Sequence, residues 1–391
     1  MRDMKERKIA TRVCQLAAQY PVVTVTGPRQ SGKTTLAKML FPTWAYVNLE
    51  SINDRQFAQE DPIGFLRQYQ DGSVIIDEVQ RVPELLSEIQ VMVDADPRPG
   101  RFLLTGSQNF ALSRGIAQSL AGRTALCTLL PFSLSELGTS VRRADLNDMI
   151  WKGFYPKIHD RTISPADELS FYVQTYLERD VREIENIRNL RSFTTFLRLA
   201  AGRTGLILNV SSLAADAGIS PKVASDWLSV LEASYLVRLL EPWHANLNKR
   251  LTKAPKLYFT DVGLAAHLIG IGTPAQLIAH PSRGALFETM IVGEYIKDSL
   301  NRGSTATINY YRDSNHNEID LVISENGRTR LIEIKSGETY SDDWMATIRR
   351  LASQFGENCA RTVVYGGNKT QHRSDFDLLS WRELQNPVVG G

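Results

Sequence analysis

Short apolar runs alternate with amphipathic segments through residues 1–137. The runs are rich in β-branched and aromatic residues, as buried strands are. The segments between them place apolar residues at helical spacing, and 34–40 is a clear example. Because strands that alternate with helices form parallel sheets, we predict a parallel α/β sheet in this part of the chain. Its strands are predicted at 21–26, 44–49, 73–78, 101–105 and 124–130.

The pattern becomes less regular in residues 138–190, where we predict a helical linker. Within it, the run 178–185 packs acidic and basic residues densely. Such a run is typical of a solvated helix face, and a surface between subunits of a ring is the alternative.

A winged helix-turn-helix is predicted in residues 191–250. A short helix closed by Gly218 is followed by Ser220, an N-cap residue, and by Pro221 at the first position of a second helix. A strand at 235–240 completes the layout of helix, tight turn, helix and strand. The face that would meet a DNA groove has one cation and one anion, which is weak for phosphate contact, so packing or assembly is an equal alternative. Its residues are Lys222, Ser225, Asp226 and Ser229.

A second sheet is predicted in residues 251–391, after an amphipathic helix at 284–300. The dipeptide Asn326-Gly327 lies between two alternating runs, which is a strong signal for a hairpin with a type I′ turn. The strands are predicted at 307–312, 318–323, 330–335 and 362–365.

Composition narrows the class of protein only slightly. The chain has 391 residues, 43% of them hydrophobic and 23% charged, which is ordinary for a globular protein of several domains. Its net charge of +2 argues neither for nor against nucleic acid. Its apolar runs are shorter than a membrane span and its N-terminus lacks an apolar signal core, so we expect a cytoplasmic protein without a membrane partner. Cys14, Cys127 and Cys359 lie far apart, as free thiols in a reducing compartment do.

The first strand runs directly into the motif G-x-x-x-x-G-K-[ST]. Gly27 and Gly32 let the backbone approach a polyphosphate closely, and the helix that follows points its positive end at the phosphates. Lys33 would reach the β- and γ-phosphates of ATP, and the Thr34 hydroxyl would bind Mg²⁺. The residues predicted to bind the nucleotide are Gly27, Pro28, Arg29, Gln30, Ser31, Gly32, Lys33, Thr34 and Thr35.

Two further strand ends carry polar residues with the spacing of a nucleotide hydrolase. The strand at 73–78 ends in Asp77, a predicted Mg²⁺ ligand, and Glu78, a predicted general base for the attacking water. The next strand stops at Ser107 and Gln108, and either side chain could sense the γ-phosphate or simply cap a turn.

Arg123 precedes the fifth apolar run. It is a candidate arginine finger, acting within one chain or across a subunit boundary. A solvated surface arginine has the same appearance in a sequence, so that alternative stays open.

Together these segments resemble one prokaryotic group of AAA+ ATPases. The resemblance rests on Gly27–Thr34, Asp77-Glu78, Thr105–Ser107, Ala121–Arg123 and Leu130–Leu137. Members of that group carry a C-terminal domain of unknown function that is similar to PD-(D/E)xK nucleases, which have a restriction-endonuclease-like α/β fold. The chain is therefore expected to have an AAA+ P-loop core, a helical linker, a winged helix and a nuclease-like domain, at 1–137, 138–190, 191–250 and 251–391.

The resemblance implies a second catalytic site in the last domain. Asp320 and the sequence Glu333-x-Lys335 match the motif, although Ile319 stands where its name has a proline. Glu333 and Lys335 would share one face of their strand, with Asp320 beside them across the hairpin. Two carboxylates suit Mg²⁺, and the lysine can position a hydrolytic water. In family terms Glu288 would complete the metal set, whereas the plain alternative is a sheet stabilised by Glu–Lys pairs.

Two functional hypotheses follow. In the first, Mg-dependent ATP hydrolysis is coupled to a nuclease-like domain that binds or cleaves double-stranded DNA. In the second, the chain is an ATP-dependent switch that binds a protein partner or further copies of itself, and its nuclease-like domain is catalytically silent. Salt-sensitive DNA binding would favour the first hypothesis.

Overall fold

The computed structural model describes residues 5–107, 119–161, 163–177, 189–244, 254–356 and 359–384. Gln108 and the charged run 178–185 lie outside these residues. The chain divides into two compact units. The first comprises Met1–Pro131, Ala233–Tyr235 and Leu300–Gly303, and the second comprises Phe132–Glu232, Leu236–Ser299 and Ser304–Gly391.

The first unit is built on a five-stranded parallel sheet with the strand order β2-β3-β4-β1-β5. This confirms the predicted parallel α/β sheet. Its strands are β1 (Val22–Gly27), β2 (Ala45–Asn48), β3 (Val74–Asp77), β4 (Phe102–Ser107) and β5 (Thr124–Thr128). Its helices are α1 (Ala10–Ala17), α2 (Lys33–Leu40), α3 (Ile52–Glu60), α4 (Pro62–Arg67) and α5 (Leu85–Ala95), with a 3₁₀ turn at Val79–Arg81.

Helices cover both faces of this sheet. Ile76 packs in one apolar cluster with residues of α3, α4 and α5, whereas its neighbour Ile75 packs in another with residues of α1 and α2. Because successive strand residues point to opposite faces, strands covered on both sides are apolar throughout. This explains why the central strands appear in the sequence as continuous apolar runs.

The second unit begins with short helices, at α6 (Leu134–Leu137), α7 (Thr139–Arg142), α8 (Leu146–Lys152), α9 (Pro156–Asp160) and α10 (Pro165–Tyr172), the last continued by a π-helical turn at Val173–Leu177. The following part contains α11 (Leu190–Ala201), α12 (Val210–Ala217), α13 (Pro221–Ala233), α14 (Val262–Leu268) and a 3₁₀ turn at Pro274–Leu277. Gly218 ends α12 in the left-handed conformation, as the sequence predicts.

A three-stranded antiparallel sheet joins these helices, with β6 (Leu206–Ile207), β7 (Val237–Leu240) and β8 (Lys256–Phe259) in the order β6-β8-β7. The predicted domain boundary between residues 250 and 251 separates β8 from the two strands with which it pairs. The strand β8 therefore belongs with the helices that precede it, and not only with the sheet that follows.

A six-stranded sheet with the order β13-β14-β12-β11-β10-β9 forms the C-terminal part. Its strands are β9 (Thr307–Arg312), β10 (Glu318–Glu325), β11 (Arg328–Lys335), β12 (Cys359–Tyr365), β13 (Gln371–His372) and β14 (Asp377–Ser380). The associated helices are α15 (Arg283–Arg302) and α16 (Ala346–Leu351), with 3₁₀ turns at Asp342–Met345, Ala352–Phe355 and Trp381–Glu383.

The hairpin β10–β11 positions the C-terminal candidate site. Asn326 and Gly327 have φ angles of 51° and 75°, as a type I′ turn requires. The pairing of β10 with β9 shifts register between Ile319 and Val322, which is a bulge-like irregularity. Both of these residues reach the same apolar cluster, and Asp320 lies between them.

Candidate functional site

The loop that joins β1 to α2 requires glycine at two positions. Gly27 has a φ of 144°, and a Cβ atom there would lie 2.1 Å from the Leu129 carbonyl oxygen. Gly32 is left-handed, with a φ of 95°, and α2 begins at the next residue, Lys33. The loop can therefore expose backbone N–H groups at the N-terminus of α2, where anions are favoured. The other residues predicted to bind the nucleotide lie in this loop or in the first turn of α2: Pro28, Arg29, Gln30, Ser31 and Thr35.

Lys33 and Arg7 stabilise this loop from two sides. The buried Lys33 ammonium donates to the carbonyl oxygens of Gly27 and Pro28, at 3.0 and 2.9 Å. The buried Arg7 guanidinium donates to the carbonyl oxygens of Ser31 and Leu130, each at 2.6 Å. No sequence signal marked Arg7, because it belongs to a charged segment distant from the motif.

Three hydroxyl groups donate hydrogen bonds to the buried Asp77 carboxylate. Thr34 and Tyr46 each donate to Oδ2 at 2.8 Å, and Thr105 donates to Oδ1. Burial, reinforced by the Asp77 carboxylate, raises the pKa of Tyr46 well above its usual value, so its hydroxyl remains a donor. Neither Tyr46 nor Thr105 was predicted as a site residue, although a threonine at the end of an otherwise apolar strand is a usable signal.

Glu78 has a φ of 58°, which is uncommon for a residue with a side chain. Its Oε2 atom accepts hydrogen bonds from Gln80 Nε2 and from Ser107 Oγ, the second at 3.4 Å, and Gln80 Nε2 also donates to Ser107 Oγ at 3.1 Å. Ser107 pairs with Gly27 across the sheet, so it lies at the strand edge that bears the loop. The structure therefore brings Ser107 to the carboxylate of Glu78.

The C-terminal unit brings together the three residues of the second predicted motif. Lys335 Nζ contacts Glu333 Oε1 at 2.5 Å on β11. Asp320 on β10 accepts a hydrogen bond from the backbone N–H of Ile334 through Oδ2, at 2.7 Å. The register that pairs Leu321 with Ile332 places Asp320 and Glu333 at neighbouring positions on the two strands.

One oxygen of this cluster lacks a partner. Glu333 is 8% exposed, and its Oε2 atom has no hydrogen-bond partner among the described residues. Burial and the negative charge of Asp320 together raise the pKa of Glu333 to about 8. A cation between the two carboxylates would satisfy this oxygen and offset the repulsion, so the residues present fit a divalent ion at this position.

Glu288, the third predicted metal ligand, has other partners. Its Oε1 atom accepts from Lys256 Nζ at 2.9 Å and from Tyr258 OH at 2.5 Å. Burial, followed by the charge of Asp320, raises the pKa of Glu288 to about 7. Among the described residues, no group of three or more His, Cys, Asp or Glu side chains is placed so that it could hold a metal ion. The predicted set of Glu288, Asp320 and Glu333 is therefore not assembled as one metal site.

Three family models match the chain in succession. A model described as AAA domain matches residues 19–138, and two models described as domains of unknown function, DUF8612 and DUF4143, match residues 143–275 and 283–384. Uncharacterized protein Rv2008c of Mycobacterium tuberculosis (strain ATCC 25618 / H37Rv) is 30% identical over 344 residues, which cover 86% of this chain and 75% of that protein. The chain belongs to the family of Rv2008c.

Another member of this family, Uncharacterized protein Mb2031c of Mycobacterium bovis (strain ATCC BAA-935 / AF2122/97), is also 30% identical, with the same coverage of 86% and 75%. Among solved structures, the Walker-type ATPase paby2304 of Pyrococcus abyssi is 14% identical, with a TM-score of 0.48, over 68% of this chain and 95% of that one. The AAA-domain match, together with the parallel sheet and its loop, makes the N-terminal unit an AAA-like P-loop ATPase domain.

In this member of the Rv2008c family, Arg123 lies far from the P-loop. Thr124 pairs with Val22 at the start of β1, whereas the P-loop follows Gly27 at its end. Five residue steps of a strand span roughly 17 Å, so Arg123 cannot reach a nucleotide bound to its own chain. It forms a salt bridge with Asp94 at 2.5 Å. The expectation that Arg123 contacts the nucleotide within one chain is therefore wrong.

The face of α13 that was predicted to meet a DNA groove lies at the surface of the protein. Lys222, Ser225 and Ser229 are exposed and Asp226 is half-buried, so this face of α13 is open to solvent.

In the part of the chain that the structure describes, no helix combines the length and the apolar character needed to cross a membrane.

Proposed function

We propose that this chain binds Mg·ATP at the loop that follows β1 and hydrolyses it, with Glu78 as general base. The observation that carries this proposal is the 2.8 Å hydrogen bond between Thr34 Oγ1 and Asp77 Oδ2. It joins the first turn of α2 to the end of β3, and these are the two groups that would hold one Mg²⁺ between them. Glu78 follows Asp77 directly, at the edge of the sheet where the phosphates would lie.

Each side chain has a defined task in this proposal. Lys33 exchanges its bonds to the Gly27 and Pro28 carbonyls for bonds to phosphate oxygens. Thr34 and Asp77 would hold Mg²⁺, which offsets negative charge on the phosphates when it is bound. The Glu78 carboxylate accepts a proton from the attacking water. Gln80 and Ser107 hold that carboxylate until the substrate is bound.

ATP turnover and nucleotide binding by single variants test this proposal. We expect Glu78→Gln to bind ATP while its turnover falls by about 100-fold or more, since general-base catalysis contributes on that order. Lys33→Ala should lose both binding and turnover, and wild-type turnover in this variant would refute the P-loop assignment. Arg123→Ala is the matched control. Unchanged turnover is expected when each chain acts alone, and a loss that depends on protein concentration would indicate an arginine acting on a second copy.

A second activity, metal-dependent cleavage of double-stranded DNA by a nuclease-like C-terminal domain, is favoured by one observation. Glu333 Oε2 is buried and has no hydrogen-bond partner in the described part of the chain, and it belongs to a cluster that also contains Asp320 and the Lys335 ammonium. The two carboxylates could hold a divalent cation, which would favour attack of a water on phosphorus. Lys335 would orient that water. The helices α12 and α13 would serve as a winged helix that contacts the DNA backbone.

The competing function is a nucleotide-dependent switch that binds a protein partner through a silent C-terminal domain. The observation that favours it is the engagement of Glu288 by Lys256 and Tyr258, which removes one expected ligand from the metal set. ATP hydrolysis is common to both functions, so it cannot separate them. DNA binding that weakens steeply with salt would support the nuclease-like function, and its complete absence would support the switch.

Cleavage of supercoiled and linear DNA by the full chain separates the two functions. The reactions contain Mg²⁺ or Mn²⁺, with and without ATP. Cleavage that is lost in Glu333→Gln would support a nuclease, and its loss in Lys33→Ala as well would show that ATP gates it. Absence of cleavage under every condition, with ATP turnover intact, would support the switch.

A further inference from the structure

Lys256 is a buried cation at the centre of the C-terminal carboxylates. Its side chain is 2% exposed, and its Nζ atom lies 2.6 Å from Glu318 Oε1, 2.9 Å from Glu288 Oε1 and 3.9 Å from Asp320 Oδ1. The lysine comes from β8, a strand of the three-stranded sheet, whereas the three carboxylates come from α15 and β10. A long segment of chain therefore separates the ammonium from the acids that it neutralises.

The contacts divide the cluster into two sides. On one side, Lys256 contacts both Glu288 and Glu318, and Glu288 also accepts from Tyr258. On the other side, Glu333 is bound through Oε1 to Lys335, and its buried Oε2 has no partner among the described residues. Asp320 lies between the two sides.

A divalent cation and a buried ammonium cannot share the first side. Like charges separated by about 4 Å repel strongly where water is excluded, and the Lys256 ammonium already satisfies the carboxylates there. The second side also has an ammonium, that of Lys335, but its side chain is 36% exposed, so water screens its charge. At the position between Asp320 and Glu333, the Glu333 Oε2 atom is an acceptor for which the described residues supply no donor. Mg²⁺ commonly binds through only one or two carboxylates and keeps several waters, so two carboxylates are sufficient ligands.

We propose that Lys256 is a built-in counter-cation that takes the place of a metal on the Glu288 side, so that the cluster binds one divalent ion, through Asp320 and Glu333. Glu288 is then a positioning residue that holds Lys256, and it is not a metal ligand. This inference rests on the metal site of the second proposed activity, but not on DNA cleavage. A chain that binds one metal ion and leaves DNA intact would refute the nuclease and leave this inference standing.

Titration of the full chain with Mn²⁺, without nucleotide, tests the inference. The free Mn²⁺ is measured by its electron paramagnetic resonance signal, and every protein carries Asp77→Asn so that the P-loop does not contribute. We expect one Mn²⁺ per chain. Glu333→Gln should weaken its binding by well over ~100-fold because it removes a ligand, whereas Glu288→Gln should weaken it by about tenfold, the lower end of the cost of changing a group behind the ligands. The glutamine keeps an oxygen acceptor for Lys256 and Tyr258, so this variant is expected to fold.

The variant Lys256→Met gives the complementary result. Removal of the ammonium opens the Glu288 side, and a second Mn²⁺ is expected to bind there. The double variant Lys256→Met/Glu288→Gln should return to one ion, and both variants are checked for folding by circular dichroism. Three results would overturn the inference: two Mn²⁺ in the chain with Lys256 intact, no Mn²⁺ at all, or a loss of affinity in Glu288→Gln as large as that in Glu333→Gln. If Lys256→Met does not fold, the comparison of the two glutamine variants still decides.

Discussion

Replacement of Tyr46 by phenylalanine tests whether Asp77 needs its full set of donors. The substitution removes one hydroxyl and leaves the ring, which lies 3.6 Å from the Lys38 ammonium. Asp77 Oδ2 then loses a 2.8 Å hydrogen bond but keeps the one from Thr34, and Oδ1 keeps the one from Thr105. Asp77 becomes freer to rotate and less well placed to hold Mg²⁺ together with Thr34.

The magnitude follows from these contacts. A hydrogen bond to a charged group contributes about 1.5–3 kcal/mol, and the lower end applies because Tyr46 is only half-buried. A loss of about 1.5 kcal/mol corresponds to roughly a tenfold change in an equilibrium or a rate. We therefore expect the Mg²⁺ concentration for half-maximal ATP turnover to rise about tenfold in Tyr46→Phe.

The assay is steady-state ATP hydrolysis at a series of Mg²⁺ concentrations, with ATP saturating. Tyr69→Phe is the matched control, since Tyr69 is also half-buried in the same unit and packs edge-on against Phe65. Its Mg²⁺ dependence should stay within about twofold of wild type. An unchanged Mg²⁺ dependence in Tyr46→Phe, with the protein folded, would refute the assignment of Tyr46 as a positioning residue for Asp77.

Three further predictions concern stability and reactivity. A Cβ atom at Gly27 would lie 2.1 Å from a backbone carbonyl oxygen, so Gly27→Ala should lower the free energy of unfolding by about 3 kcal/mol, measured by urea denaturation. Gly72 has open space around it, so the control Gly72→Ala should leave that free energy nearly unchanged. Glu294 and Lys297 form a buried ion pair at 2.8 Å, so Glu294→Gln should cost about 3 kcal/mol because it leaves the buried ammonium without a counter-charge. An equal cost in Glu294→Gln/Lys297→Met would contradict that cause. Burial raises the pKa of Cys127 to about 11, so alkylation of its thiol should be slow at pH 9 in the folded chain and fast in urea. Rapid alkylation of Cys127 in the folded chain would contradict the raised pKa.

Local sequence patterns were sufficient for much of the fold. The P-loop, the acidic end of β3 and the turn at Asn326-Gly327 each depend on a few consecutive residues, and the structure has them where the sequence predicts them. The parallel sheet followed from apolar runs that alternate with amphipathic helical segments, because strands covered on both faces contain few polar residues.

Local sequence patterns did not predict which residues would contact the predicted site residues. Arg7, Tyr46 and Lys256 act on groups that are distant in sequence, and nothing in their own neighbourhoods distinguishes them from surface residues. For Arg123 the sequence context predicted a contact with the nucleotide. The direction of β5 instead puts Arg123 at the edge of the sheet opposite the P-loop. Strand direction and pairing are properties of the whole sheet, and a local motif does not contain them.

Lys256 and the carboxylates that it contacts lie in different family-model segments of the chain, and this limits where the chain can be cut into fragments. The lysine lies in the segment matched by the DUF8612 model, whereas Glu288, Glu318 and Asp320 lie in the segment matched by the DUF4143 model. A fragment that starts at α15 would contain the carboxylates without their ammonium, and its stability would suffer from uncompensated buried charge. The two segments therefore form one electrostatic unit. A chimaera between relatives should exchange them together, and a minimal C-terminal fragment should begin before β8.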